Sequence, residues 1–347
     1  MGKTGKKTKC ENRKSMIWVL TGVICIFSIL IYYLFFSSMT DNGKERFLYI
    51  DKDDNADSVY IKVDNLSTSV SSFVFRTLGK VSGYDKKIKA GRYSIGRQGS
   101  LLTFRNFLNG HQAAVHLTLP SLRTPEDIAK AVSSKLEFTK KDLYDALTDS
   151  ATCARYGYNP NTIMCMFIPN TYDIYWNCSV DEFLSRIKRE CDKFWTPDRI
   201  AKAKSDSLSP IQVSTIASIV AEETNNKEEK PIIAGVYINR LRINMALQSC
   251  PTVKFAMGRF DLKRLYTNML SYDNPYNTYK YKGLPPGPIR NPNIDDIDAV
   301  LNHVRHNYLY MCAKADFSGT HEFAETYEEH KANSERYDKE LNKRGIK

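Results

Sequence analysis

Met16 to Phe36, MIWVLTGVICIFSILIYYLFF, is a run of 21 uncharged and mostly apolar residues. As a helix it is long enough to cross the roughly 30 Å hydrocarbon core of a bilayer, which predicts a membrane span over residues 16–36. Six basic residues precede the run (Lys3, Lys6, Lys7, Lys9, Arg13 and Lys14), whereas a mixed DNGKER follows it. The positive-inside rule then assigns residues 1–15 to a cytoplasmic basic tail and everything after residue 36 to the other side. FFSSMTDNG offers no A-x-A cleavage site and Cys25 follows Gly-Val-Ile, so the expectation is an uncleaved anchor without lipid attachment. Tyr32, Tyr33 and Phe36 suit the aromatic belt at the outer interface.

The rest of the 347 residues is long enough for two domains, and 42% hydrophobic with 26% charged residues is ordinary for a folded protein. Of the formal charge of +11, the tail's six basic residues against Glu11 carry five. The remaining excess fits an anionic polymer or a membrane surface. With no helix-turn-helix, zinc-finger or RNP pattern, nucleic acid is not an expected partner. Cys153, Cys165, Cys178, Cys191, Cys250 and Cys312 fall in the exported part, with no C-x-x-C pair to suggest a zinc ribbon or thioredoxin-like redox chemistry. Disulfides and buried free thiols both fit this set.

The expected organisation is α+β: a polar linker at 37–46, a small α+β module at 47–118 and a mixed α+β domain at 119–347. FLYIDKDDNADSVYIKV, an apolar run followed by alternation, predicts one or two strands. LSTSVSSFVFRTLGKVSG carries a serine-capped helical pattern, KIKAGRYSI returns to strand, SLLTFRNFLNGHQ is a helix capped by Ser100 and stopped by Gly110, and AVHLTLP is a strand. TPEDIAKAVSSKL reads as a helix with Thr124 as N-cap and Pro125 in its first turn, and KKDLYDALTDS as another. MFIPNTYDIYWNCS predicts a loop or short strand. SVDEFLSRIKRECDKFW is amphipathic, with Val180, Phe183, Leu184, Ile187, Cys191 and Phe194 on its apolar face, and a charged helix closes the chain.

The chemistry concentrates in STIASIVAEET, Ser214 to Thr224. Val213, Ile216, Val220 and Glu223 recur at steps of three and four, so a helix aligns them on one stripe that Glu223 closes. Glu222 falls instead with Thr215, Ser218 and Asn226 on a polar side, where it is expected to be solvated. Loss of hydration favours the neutral form of a carboxylic acid, the form from which a general acid works. Arg240 and Arg242 are possible ion-pair partners for Glu223. His303 and His306, three apart on an expected helix, lack the carboxylate or cysteine neighbours of a metal site. No H-E-x-x-H, glycine-rich phosphate loop or G-x-S-x-G elbow occurs, so neither a metal nor a cofactor is expected.

FIPNTY (Phe167 to Tyr172), ASIVAEET (Ala217 to Thr224), NRL with MALQSCPTV (Asn239 to Val253), YNTYKYKGLPPGPIRNP (Tyr276 to Pro292) and YLYMCAKADFSGTHEFAETYEEH (Tyr308 to His330) together resemble the endolytic murein transglycosylases of bacteria. The anchor and small module match that layout too, the module being similar to a LysM peptidoglycan-binding unit. The resemblance implies a single-pass enzyme of the bacterial inner membrane with a periplasmic catalytic domain, acting beside the peptidoglycan synthases. Its substrate would be nascent glycan strands, cut between N-acetylmuramic acid and N-acetylglucosamine with a 1,6-anhydro end and no added water. Glu223 falls on the family's catalytic glutamate, while Cys250 stands where relatives commonly have an aspartate. Tyr172, Asn239, Gln248, Thr252, Tyr276, Asn277 and Tyr279 are the candidate substrate-binding residues, since sugar rings stack on aromatic faces and their hydroxyls need amide and phenol partners. Two alternatives stand: a hydrolytic muramidase using Glu223 with Asp173 or Asp273, and a non-catalytic peptidoglycan-binding scaffold.

Overall fold

A computed structural model describes residues 4–96, 98–262 and 265–344, so residues 1–3 of the expected basic tail lie outside it. The chain forms two compact units, one comprising residues up to Val115 together with Asp173–Asn177, the other His116–Tyr172 together with Cys178 onward. The fold class is the α+β expected, dominated by helix with small two-stranded sheets.

The first unit begins with α1 (Thr4–Phe36), whose segment Lys14–Phe36 is long and apolar enough to cross a membrane and is exposed except at Leu34 and Phe35, which are partly covered. β1 (Arg46–Ile50) pairs antiparallel with β2 (Gly91–Ile95), Arg46 opposite Ile95 and Ile50 opposite Gly91. Between them lie α2 (Ala56–Asp64) and α3 (Ser69–Ser82), and α4 (Ser100–Asn109) follows. The alternating SVYIKV is therefore helix rather than the expected strand. Asn55 caps α2 by accepting from Ser58 N, and Val59, Tyr60 and Val63 are buried at helical spacing, so cap and core outweigh a fortuitous two-residue alternation. Thr68, not a serine, caps α3, and Gly99 rather than Ser100 is the N-cap of α4. Phe75 sits at the centre of the core, edge-to-face with Phe104 and Phe107 at 5.1 Å each, beneath Leu48, Ile50 and Ile95 of the sheet.

The second unit takes in most of β3 (Val115–Leu119), then α5 (Pro125–Ser133), α6 (Lys140–Thr148), α7 (Ser150–Arg155), the first part of β4 (Asn170–Ile174), α8 (Val180–Phe194), α9 (Pro197–Ser205) and α10 (Pro210–Glu223). It continues through α11 (Lys230–Arg242), α12 (Cys250–Ala256), α13 (Ile294–Leu301), β5 (Tyr310–Ala313), β6 (His321–Ala324) and α14 (Tyr327–Lys343). Capping boxes start α5, α6, α8, α10, α13 and α14, the predicted Thr124 and Pro125 among them. β3 pairs with β4, and β5 pairs antiparallel with β6.

α10 is the central strut, packed by α9, α11, α12 and α13. Residues Val213 to Val220 are all buried, so the expected solvated face does not exist. Two of its polar members are absorbed locally: Thr215 Oγ1 donates to Ile211 O at 2.8 Å, and Ser218 Oγ donates to Thr215 O at 2.7 Å while accepting from Ile289 N at 3.0 Å. A Ser or Thr hydroxyl can satisfy itself on the preceding turn, which is why polar residues here do not imply water.

α11 is held against the chain segment after α13 by close backbone approach at Gly235. A Cβ there would lie 2.6 Å from both Val304 O and His306 Nε2, and the His306 ring is itself tied to Ile232 O at 2.9 Å. Gly235→Ala is therefore expected to destabilise the protein by about 1–3 kcal/mol through overpacking. Denaturant melts of the full chain read this directly, and an unchanged midpoint would show that the segment can yield. His303 and His306 lie beyond the end of α13, not on a helix as expected.

Candidate active site

α10 ends at Glu223 because Thr224 turns to an extended conformation (φ −148°, ψ 146°), delivering the glutamate at the rim of an open cleft of ≈ 410 Å³. Arg123, Glu222, Asn225, Asn226 and Arg290 share that lining. The half-buried Glu223 carboxylate is gripped from behind by two hydroxyls: Tyr237 Oη donates at 2.6 Å and Ser249 Oγ at 2.6 Å. Both bonds fall on Oε1, and Oε2 receives none from the described residues. Tyr237 is 1% exposed, and burial together with the adjacent Glu223 pushes its phenol well above the usual tyrosine range, so it remains a proton donor to Oε1.

Glu222 is not the solvated acid expected. Arg123 meets it with Nε at 3.1 Å and Nη2 at 2.9 Å, and Arg290 Nη1 adds a third contact at 2.8 Å. Two guanidiniums thus neutralise the acid next in sequence to Glu223. Arg290 Nε is anchored in turn on Ser121 Oγ at 2.7 Å, and Arg123 lies over the Phe260 ring at 5.0 Å. Neither Arg240 nor Arg242 takes the place considered for it beside Glu223. Arg240 donates to the carbonyls of Leu309 (2.6 Å) and Leu247 (2.5 Å), and Arg242 pairs with Asp206 at 2.6 Å.

Several residues picked from the sequence gather behind Glu223. Thr252 Oγ1 bonds Ser249 O at 2.7 Å and Thr278 Oγ1 at 2.8 Å, while Ser249 N donates to Thr278 Oγ1 at 3.0 Å. Gln248, in a left-handed conformation at φ 51°, is exposed and donates its backbone N–H to Thr278 O at 3.1 Å. Tyr279 Oη lies 3.2 Å from Cys250 Sγ, and burial pushes both groups up. Asn277 is fully buried and spends its amide on Leu270 O (2.9 Å) and Tyr272 O (2.8 Å), shaping the turn that carries Thr278 and Tyr279. Tyr276 packs on Phe255 at 4.8 Å, with burial pushing its phenol to about 12. Asn239 bonds His306 O (2.7 Å) and Tyr308 O (3.1 Å), and the Tyr172 hydroxyl donates to Ile168 O; both serve their own backbone neighbours. His321 Nδ1 lies 3.1 Å from Glu229 Oε2.

Sequence reading missed Tyr237, Ser249 and Arg123 as parts of this arrangement. Ser249 was visible inside MALQSCPTV, and Tyr237 stands on the same helix as Asn239. Arg123 carries no local signal at all, since it reaches Glu222 from 99 residues upstream.

An α+β unit that presents one hydroxyl-braced glutamate at the end of a buried helix, beside a second acid held by two arginines, defines the class of site. The chain belongs to the YceG-like family, whose model matches residues 48–336. It is similar to an endolytic murein transglycosylase of Bacillus subtilis (strain 168), 30% identical over 225 residues that cover 60% of this chain and 61% of that one. A protein of the same name from Streptococcus pneumoniae serotype 2 (strain D39) is 32% identical over 169 residues, 48% of this chain and 30% of its own. The chain thus spans under two thirds of the length of these relatives. Among solved structures it resembles a YceG-like protein of Listeria monocytogenes, with a TM-score of 0.54 and 25% identity over 83% of this chain and 99% of that one.

Proposed function

We propose that this protein is a membrane-anchored peptidoglycan lytic transglycosylase in which Glu223 is the single acid–base residue. It would cut nascent glycan strands internally between N-acetylmuramic acid and N-acetylglucosamine, beside the synthases that extend them. The observation that carries the reading is the one-sided bracing of Glu223: Tyr237 and Ser249 occupy Oε1, which leaves Oε2 to hold the mobile proton. The family membership and the names borne by the relatives support the same reaction.

In this mechanism Oε2–H protonates the glycosidic oxygen as the C1–O bond breaks, and the N-acetylglucosamine end departs as an alcohol. The resulting carboxylate faces an oxocarbenium-like sugar. The muramic C6 hydroxyl closes on C1, giving up its proton to Oε2, which regenerates the acid and leaves the 1,6-anhydro ring. No water enters, and no second carboxylate is needed. This suits the setting, because Glu222 is engaged by Arg123 and Arg290, and Asp273 is held by Lys280 at 2.8 Å and Tyr281 at 2.5 Å, bonds that lower its pKa from the usual carboxylate value. A hydrolase would require a second, available carboxylate flanking the bond. The LysM-like module would hold the strand, and α1 would anchor the enzyme with its N-terminus cytoplasmic and its catalytic unit periplasmic.

The test is to incubate the full-length protein with purified glycan strands and weigh the new ends by mass spectrometry. Anhydro ends are expected. Reducing ends carrying an added water would replace this reading with hydrolysis, and uncut strands that still bind would leave only a scaffold.

A further inference from the structure

Within the first unit, α1 does not join its neighbours through a flexible tether. Only Ser37 and Ser38 separate Phe36 from Met39, which is fully buried in the unit's core. Ser38 bridges Gly99 and donates to Gly96 O at 2.5 Å, and Thr68 N donates to Met39 O at 2.8 Å. α4 starts directly on the end of α1: the space for a Cβ at Gly99 is filled by Phe35 O and Phe36 Cα. α1 packs against α3 as well as α4. A bilayer crossed by α1 would therefore meet α3 and α4 at its outer surface, since the last turn of the span touches Gly99, the N-cap of α4.

The free faces of those two helices are apolar where such a helix should be polar. On α3, Val70, Phe73, Thr77 and Val81 follow each other at steps of three and four, which places them on one face, with Phe73 70% and Val81 83% exposed. Leu101 and Leu102 are exposed on the first turn of α4. Lys80, Lys86, Lys87 and Arg105 are exposed around this face, with Asp85 the acid among them. An apolar helix face rimmed by basic side chains is the pattern that settles into the headgroup and upper acyl region of an anionic leaflet.

We propose that the outward face of α3 and the first turn of α4 dock on the outer leaflet of the bilayer, with Phe73 and Val81 inserted and the lysines against anionic phospholipid headgroups. This rests on the reading of α1 as a membrane span. Docking would give the unit two attachments, the span and the face, and so fix its orientation to the surface.

The test uses the full chain in phosphatidylglycerol-containing proteoliposomes, with photoreactive benzoylphenylalanine in place of Phe73, Val81 or, on α1, Ile29. Phospholipid adducts are expected at 73 and 81 with a yield within a few-fold of that at 29, falling several-fold in phosphatidylcholine alone. Adducts at 29 only, or adducts to a second protein chain at 73, would overturn the docking while leaving the span intact. No adduct at 29 would remove the span and the proposal with it. Equal yields in neutral vesicles would overturn the pairing with headgroups.

Discussion

Glu223→Gln is expected to lower glycan cleavage by a factor of about 10² to 10⁴, the usual worth of one positioned proton-transfer group. Glutamine fills the same volume and its carbonyl oxygen still accepts from Tyr237 and Ser249, so the braced geometry survives. What is lost is the proton on the second atom, which an amide can neither donate to the leaving oxygen nor take back from the C6 hydroxyl. Release of anhydro-muropeptides from purified sacculi is the readout, alongside a melt and a strand-binding assay that should both match the parent protein. A variant that still releases anhydro ends at the parent rate would sink the assignment of Glu223. A variant that unfolds would instead place its role in stability, an outcome the melt separates from the first.

Asp296→Ala is expected to cost about 3–5 kcal/mol of stability. Asp296 is 0% exposed and meets Lys230 Nζ at 2.5 Å, with the Lys230 side chain only 11% exposed. Its other oxygen accepts from Asn293 N at 2.9 Å and Nδ2 at 3.2 Å, closing the capping box of α13. Truncation strands the ammonium at the first residue of α11 and opens the α10–α11–α13 packing that seats Tyr237. For a unit of this size the loss corresponds to a fall in Tm on the order of 10 °C. The double variant Lys230→Met with Asp296→Leu should recover most of it, because a buried pair replaced by apolar groups loses little. If the single variant melts with the parent protein, or the double variant melts as low as the single, the pair is not the fastening described.

Much of the helical framework of both units was legible in advance because its helices announce themselves locally. Thr124 with Pro125 and the Gly110 stop are short-range signals that depend on a few adjacent residues, and they appear where expected. SVYIKV misled for the converse reason: a two-residue alternation says nothing about the Asn55 cap five residues before Tyr60, nor about the core that Val59 and Val63 enter. Amphipathicity failed at α10 in a way that is physically instructive. A helix buried on every side has no polar face to display, and the Thr215 and Ser218 hydroxyls are satisfied by the preceding turn and by Ile289.

Periodicity and motif together singled out Glu223, and the apolar run 16–36 singled out α1, because both are properties of a contiguous stretch. The environment of Glu223 is a different matter. Tyr237, Ser249, Arg123 and Arg290 come from four separate segments, and only the packing of α11, α12 and the 289–291 turn around α10 brings them to adjacent acids. Which of Glu222 and Glu223 is clamped by arginines and which is braced by neutral hydroxyls was decided there, since opposite partners on neighbouring residues require elements far apart in the chain to converge from different sides.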